Sequence, residues 1–204
     1  MKNTVFVKHF ELPKIDKNEV LRYMGVRVCD ETTDTLLEGC IKECEVGDSF
    51  GPKACFCICD ITNKNHIVDM GVAVIKSDSL SKHLEGCDKI VIFAATVGIA
   101  IDRLVEKYSR LLPSKALCFS SIGAQQIEKM CDDFCLWLKN EYDEFELTSR
   151  FSPGYGDFDV CFQSEIFKLL DCHKKIGLSL CDSFIMSPSK SVTAIIGLKA
   201  KEKI

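Results

Sequence analysis

Residues Lys89–Thr96 read KIVIFAAT, a nearly continuous apolar run. A strand of alternating polarity can leave one face in water, whereas a run of this kind must be covered on both faces. The rest of the chain therefore has to supply two layers. Further strands are expected over Thr4–Phe10, over Ala54–Ile61 and over Val192–Leu198. Asn63–Asn65 reads as the turn of a hairpin that returns along His66–Ile75. Helices come next. Asp16 is placed to cap a helix over Lys17–Met24, with Glu19 at the third position and Gly25 at the end. Asp30 opens another over Glu31–Cys44, where Leu36, Leu37, Cys40, Ile41 and Cys44 follow the helical period. Ser77 or Ser79 starts a short helix to Leu84, ended by Gly86. Helical stretches also cover Gly98–Leu111 and a long segment from Pro113 or Ser114 to about Tyr142, with Gly123 the place for a bend.

The C-terminal part is more punctuated. Asp143–Ser164, with Pro153, Gly154 and Gly156, reads as an ordered loop. A helix over Glu165–Lys175, short strands at Leu178–Leu180 and Ser183–Met186, and a frayed basic tail at Lys199–Lys203 complete the pass. No repeat, low-complexity tract or linker interrupts the pattern. One α+β domain over 1–204 is the expectation, with a helical part at 1–50 and a core at 51–198.

Composition narrows the function classes. With 47% hydrophobic residues and a net charge of −4, the chain is expected to fold, and it lacks the positive field that nucleic-acid binding needs. No apolar stretch reaches the roughly 20 residues of a membrane span, and none follows Met1-Lys2-Asn3 as a secretion signal would. A cytoplasmic protein with no membrane partner follows. There, thiols stay reduced. The 13 cysteines include no CxxC pair. Cys55, Cys57 and Cys59 share one strand face, and Cys40/Cys44 and Cys131/Cys135 are i,i+4 pairs on helices, where a thiol packs as a small apolar group. Cys172-His173 has no second ligand pair nearby, so no metal site is expected. His9, His66, His83 and His173 are scattered, and no Ser-His-Asp or Cys-His arrangement or obviously spaced carboxylate pair suggests a catalytic residue.

Two segments could hold a ligand. Thr96-Val97-Gly98 sits between the buried strand and a helix start, where open α/β sheets place ligand loops, although a lone glycine is no nucleotide fingerprint. The stronger segment is Arg150-Phe151-Ser152-Pro153-Gly154-Tyr155-Gly156-Asp157. Pro153-Gly154 suits the two central positions of a type II turn, which exposes backbone groups with no Cβ in the way. The Arg150 fork suits a carboxylate, and the Tyr155 ring can stack on or hydrogen-bond a ligand.

RFSPGY resembles the RxxxGY signature of the activation domain of vitamin B12-dependent methionine synthase. Met186-Ser187-Pro188-Ser189-Lys190-Ser191-Val192, with Gly197 beyond, is similar to the MxPxxSV element that follows in that domain. Ala94–Gly98, the helix bearing Glu128 and Lys175–Leu180 extend the likeness over about 90–198. The stand-alone length, SPGYGD and LRYMG look most like free-standing activation-domain-like proteins. The resemblance implies a mainly antiparallel twisted sheet with helices packed on it. It also implies that S-adenosylmethionine is held by Arg150, Gly154 and Tyr155, with Ser152 and Pro153 in the turn and Glu128 the candidate acid on the preceding helix.

The implied role is reductive methylation of an inactive cob(II)alamin cofactor. The cobalamin would be carried by a partner, either a methionine synthase or another corrinoid protein, because the chain has no Asp-x-His-x-x-Gly. A flavodoxin-like protein would donate the electron. Two departures stand out: Gly156-Asp157-Phe158 replaces the family's PACP, and the sequence stops at Ile204, short of an aromatic expected near the adenosine. The alternative is a module that senses S-adenosylmethionine or a small carboxylate without corrinoid chemistry.

Overall fold

The computed structural model describes residues 4–46 and 51–201. The KIVIFAAT run forms a strand over Lys89–Thr96 at the centre of a five-stranded sheet. Its partners are Lys53–Asp60 on one side and Ser191–Ala200 on the other, both antiparallel. Phe6–His9 (β1) and Phe145–Leu147 form the edges. In chain order the five are β1, β2 (Lys53–Asp60), β6 (Lys89–Thr96), β7 (Phe145–Leu147) and β10 (Ser191–Ala200). The register puts Phe93 opposite Phe56 and Ala194, so alternate residues of all three central strands share a face.

One face carries Phe56, Val91, Phe93 and Ile196 and packs on Met130, Phe134 and Leu138 of a long helix, α5 (Pro113–Glu141). The other carries Cys55, Cys57, Ile92 and Ile195. It packs on α3 (Asp78–His83), α6 (Gln163–Leu170) and α7 (Cys172–Ile176) through Leu80, Ile166, Leu170 and Cys172. Both faces of β6 are thus buried, as the run requires.

A third cluster joins the N-terminal helices to the first half of α5. Asp16 accepts from the backbone N–H of Asn18 at 2.9 Å and opens α1 (Lys17–Met24), which Gly25 closes at φ 74°. Asp30 accepts from the Thr33 N–H at 2.7 Å at the start of α2 (Glu31–Val46). Val20, Leu37 and Cys40 of these helices meet Ile101 of α4 (Ala100–Ser109) and Phe119 and Ile122 of α5. Glu43 adds a polar tie: it accepts from Tyr108, Lys107 and Lys115, the last at 2.6 Å. Burial works against its charge, but these donors hold the carboxyl down at about 2.

Four segments differ from expectation. The hairpin over 62–76 is a three-stranded sheet, β3 (Thr62–Lys64), β4 (Ile67–Asp69) and β5 (Val74–Lys76). Asn65 and His66, at φ 52° and 65°, make its first turn, and Gly71 at φ 73° makes a second inside the expected return strand. The loop at 143–164 contains β7, a three-residue edge strand on Leu198–Ala200. That pairing holds Lys199 and Ala200 in β10, and Lys201 donates to the Glu144 carbonyl at 3.0 Å, so this part of the tail is not frayed. Residues 202–203 lie outside the described residues. The helix expected over Glu165–Lys175 divides at Asp171, which adopts φ 49°. The last short strands are β8 (Ser179–Leu180) and β9 (Met186–Ser187).

Nine of the 13 cysteines are buried and none forms a disulfide. Among the described residues no His, Cys, Asp and Glu side chains gather as metal ligands, and no helix is long and apolar enough to cross a membrane.

Candidate functional site

The RFSPGYGD segment runs from the end of β7 to α6. Phe151 exchanges two backbone hydrogen bonds of 2.9 Å with Ile195 of β10, which brings Arg150 and Ser152 alongside the sheet. The Tyr155 N–H donates to the Ser152 carbonyl at 3.2 Å, and Gly154 adopts φ 97°. Pro153-Gly154 therefore occupies the centre of the expected type II turn. The turn is not bare, however. The Gly154 N–H donates to the Phe158 carbonyl at 2.7 Å, and the Tyr155 carbonyl accepts from Phe158 at 3.0 Å. The carbonyls of Pro153 and Gly154 enter no hydrogen bond among the described residues, so the turn offers a ligand acceptors rather than donors.

Asp157 fastens the loop. It accepts from Ser77 Oγ at 2.7 Å and from the N–H groups of Asp78 and Ser79 at 2.7 and 3.0 Å, so it caps α3 from 80 residues away. These donors, Ser77 first, hold its carboxyl well below the usual carboxylate range. Gly156 adopts φ 57°, and a Cβ there would fall 2.3 Å from Ser79 Oγ. Gly156-Asp157 thus docks this loop onto α3. At the other end of α3, His83 stacks on Phe151 at 4.7 Å between ring centroids. Its Nε2 lies 2.9 Å from the Ser149 carbonyl and 3.0 Å from Thr148 Oγ1.

Arg150 reaches back to α5. Its Nη2 donates to Glu128 Oε2 at 3.1 Å and to Asp132 Oδ1 at 3.0 Å. Burial disfavours the guanidinium charge, yet Cys131, Glu128 and Asp132 together raise its pKa. Burial in turn pushes the Cys131 thiol up to about 12. Neither bond uses Nε or Nη1, and the side chain is 23% exposed, so each of these two donors, which lie on opposite sides of the guanidinium, can still give a ligand a single hydrogen bond. Tyr155 is 59% exposed and meets Phe151 edge-on at 6.0 Å. Glu128 and Asp132 also line a cleft of about 870 Å³ between 11–19 and α5.

The structure therefore brings Arg150 and Glu128 together and sets Ser152, Pro153, Gly154 and Tyr155 in the turn that follows Arg150. Sequence reading missed Asp132, although Glu128 and Asp132 stand at i,i+4 on one helix face and form the carboxylate pair it did not find. It also missed Asp157 and His83, whose partners are distant in sequence. Thr96-Val97-Gly98 is not a switch point, because β6 is antiparallel to both neighbours. Gly98 serves close approach instead: at φ 90°, a Cβ would lie 3.2 Å from the Gly51 nitrogen.

The fold covers 100% of this chain and 81% of a solved structure of the MetH reactivation domain bound to AdoHcy, with a TM-score of 0.71 at 13% identity. Residues 137–203, which include the whole turn, match the family model described as vitamin B12 dependent methionine synthase, activation domain. The likeness to the activation domain is borne out. A search of curated proteins returns no match to this chain. The activation-domain match begins in the last turn of α5 and runs through β7, the turn and β10, so Glu128 and Asp132 lie outside it.

Proposed function

We propose that this protein binds S-adenosylmethionine at the Arg150 loop. On this reading it acts as an activation component, in trans, for a cobalamin-carrying methionine synthase or another corrinoid protein. The chain would work as one activation-like domain over 1–204, with a helical part at 1–50 and a core at 51–198. The observation that carries the reading is the Arg150 fork, oriented by Glu128 and Asp132 while Nε and Nη1 remain uncommitted, followed by a type II turn within the family-matched stretch. The donor set fits the ligand. Nε or Nη1 of Arg150 can donate a single hydrogen bond to a carboxylate, the two acids favour a cationic sulfonium and ammonium, and the free carbonyls of Pro153 and Gly154 suit the donors of an adenosine.

S-adenosylmethionine supplies an already activated methyl group, so no protein nucleophile is required. The work of these residues is to bind and orient. Arg150 fixes one end of the ligand, and the turn, fastened to α3 and β10, presents the other. Tyr155, standing out from the turn, covers the ligand's flank. An electron donor of the flavodoxin kind would complete the partnership in the cytoplasm.

Titration calorimetry with S-adenosylmethionine and its demethylated product tests the binding. The wild type should bind both, and Arg150→Ala should weaken binding by about 1.5–3 kcal/mol, the scale of a charged hydrogen bond. No binding by the wild type overturns the reading. Pull-down with a corrinoid protein, with and without reductant, tests the action in trans.

A further inference from the structure

Helix α7 ends at Gly177, which adopts φ 69° and donates to the His173 carbonyl at 3.1 Å. A left-handed glycine reverses the chain at a helix end. The reversal brings Ser179, at the start of β8, back beside α7, with its Oγ 3.0 Å from His173 Nδ1. When the ring proton sits on Nε2, Nδ1 accepts from the hydroxyl, the contact that a base makes with a serine nucleophile. His173 is exposed and Ser179 half-buried, and both line an open cleft of about 390 Å³ between α6 and β8. Leu180 lines it too. The Cys181 N–H donates to the Ile185 carbonyl at 2.9 Å, while Leu180 stands opposite Met186 of β9. Hydrogen-bonded pairs alternate along an antiparallel ladder, so the Leu180 N–H turns away from β9 to the unpaired edge of β8. The backbone N–H next after a nucleophilic serine is an oxyanion donor in hydrolases.

We propose that Ser179 and His173 form a catalytic dyad for the hydrolysis of small, uncharged carboxylic esters. Ser179 Oγ attacks the ester carbonyl carbon and passes its proton to His173 Nδ1, and the Leu180 N–H donates to the oxyanion that forms. The C–O bond to the alcohol breaks, and His173 gives the proton to the departing alkoxide. Water then cleaves the acyl-serine by the same proton path, which restores the hydroxyl and releases the acid. Phe167, Leu178 and Leu180 give the cleft apolar walls for the acyl chain. Its charges are matched, Lys168 with Glu165 at 2.9 Å and Asp171 with Lys174 at 3.5 Å, which favours a neutral substrate. Among the described residues no carboxylate pairs with His173, so nothing fixes the ring from behind and turnover is slow. The dyad shares no residue with the Arg150 loop.

A fluorophosphonate probe, which a serine hydroxyl attacks with loss of fluoride, tests the dyad on the full chain. Peptide mass spectrometry locates the adduct. The wild type should carry the probe on Ser179, and His173→Gln should slow that labelling by about a hundredfold, the scale of a positioned general base. With the exposed thiols of Cys29, Cys161 and Cys181 alkylated beforehand, the wild type should also hydrolyse p-nitrophenyl butyrate faster than buffer does. Ser179→Ala should lose most of that excess. Melting curves establish that the variants fold. Arg150→Ala should leave the labelling unchanged, so this result and the S-adenosylmethionine titration stand or fall independently. A wild type that takes no probe on Ser179 overturns the proposal. So does equal labelling in His173→Gln, an undiminished esterase rate in Ser179→Ala, or loss of labelling in Arg150→Ala.

Discussion

The signature loop and the N-terminal segment both lie against α5, but they are held there by different means. The loop is tied at particular atoms: Phe151 to the Ile195 backbone, Asp157 to the start of α3, Arg150 to two carboxylates. The N-terminal part is held mainly by apolar packing around Val20, Leu37 and Cys40, with the Glu43 cluster as its polar tie. Between them, segment 11–16 packs Ile15 on the N-terminal cluster and, among the described residues, makes one long hydrogen bond to α5, 3.4 Å from Gln125 Nε2 to the Lys14 carbonyl, with cavities on both sides. The lesson concerns sequence tolerance. Packing accepts many apolar residues of similar volume, whereas an atom-by-atom tether accepts one residue type. That matches the comparisons, in which the fold covers the whole chain but the family model begins at residue 137.

Glycine substitutions break the comparison most sharply. Gly156→Ala must hold a side chain at φ 57° with a Cβ 2.3 Å from Ser79 Oγ, and should cost about 2–3 kcal/mol in denaturant unfolding. Gly25→Ala has a similar φ of 74° but nothing within 4 Å, and should cost only about 1 kcal/mol. Equal losses would show that the loop is no more tightly placed than the N-terminal cap. Next in size, Glu43→Gln should cost about 1–2 kcal/mol and loosen α2 against α4 and α5, read as faster hydrogen exchange in those helices. Signature-loop amides should keep their protection.

Acid is the mildest probe. Both Asp157 and Glu43 have folded-state pKa values below their ordinary ones, so each contributes stability that is present above about pH 4 and lost as pH falls towards the folded value. Unfolding followed from pH 5 down to pH 2 should show this loss. Asp157→Asn should flatten part of the profile, and exchange at Ser77–Ser79 should rise at pH 7. An unchanged profile in Asp157→Asn would mean that the carboxylate does not fasten the loop.

Much of the fold is legible because it is written locally. The Asp16 cap, the Gly25 stop and the apolar run of β6 each depend on residues within a few positions. The turn at Pro153-Gly154 is local too, and it appears as read. What escaped reading depends on distant partners. Phe145–Leu147 is a strand only because Leu198–Ala200 lies beside it, and three residues carry too little pattern to announce that. Asp157 looks like any loop acid until α3 comes within reach. The break at Asp171 was hidden by apolar positions that keep helical spacing across it, since left-handed backbone at an aspartate leaves no periodic trace.

The two ends of α3 hold the two ends of the signature loop, His83 at Ser149 and the Ser77–Ser79 turn at Asp157. A helix of six residues is about 9 Å long. It acts as a ruler: whatever the turn does in between, its feet stay one fixed span apart. Lengthening α3 by a turn, or removing a residue between Arg150 and Gly156, would force one foot to let go. The spacing from Arg150 to Tyr155 is thus gauged by a helix on the far side of the loop.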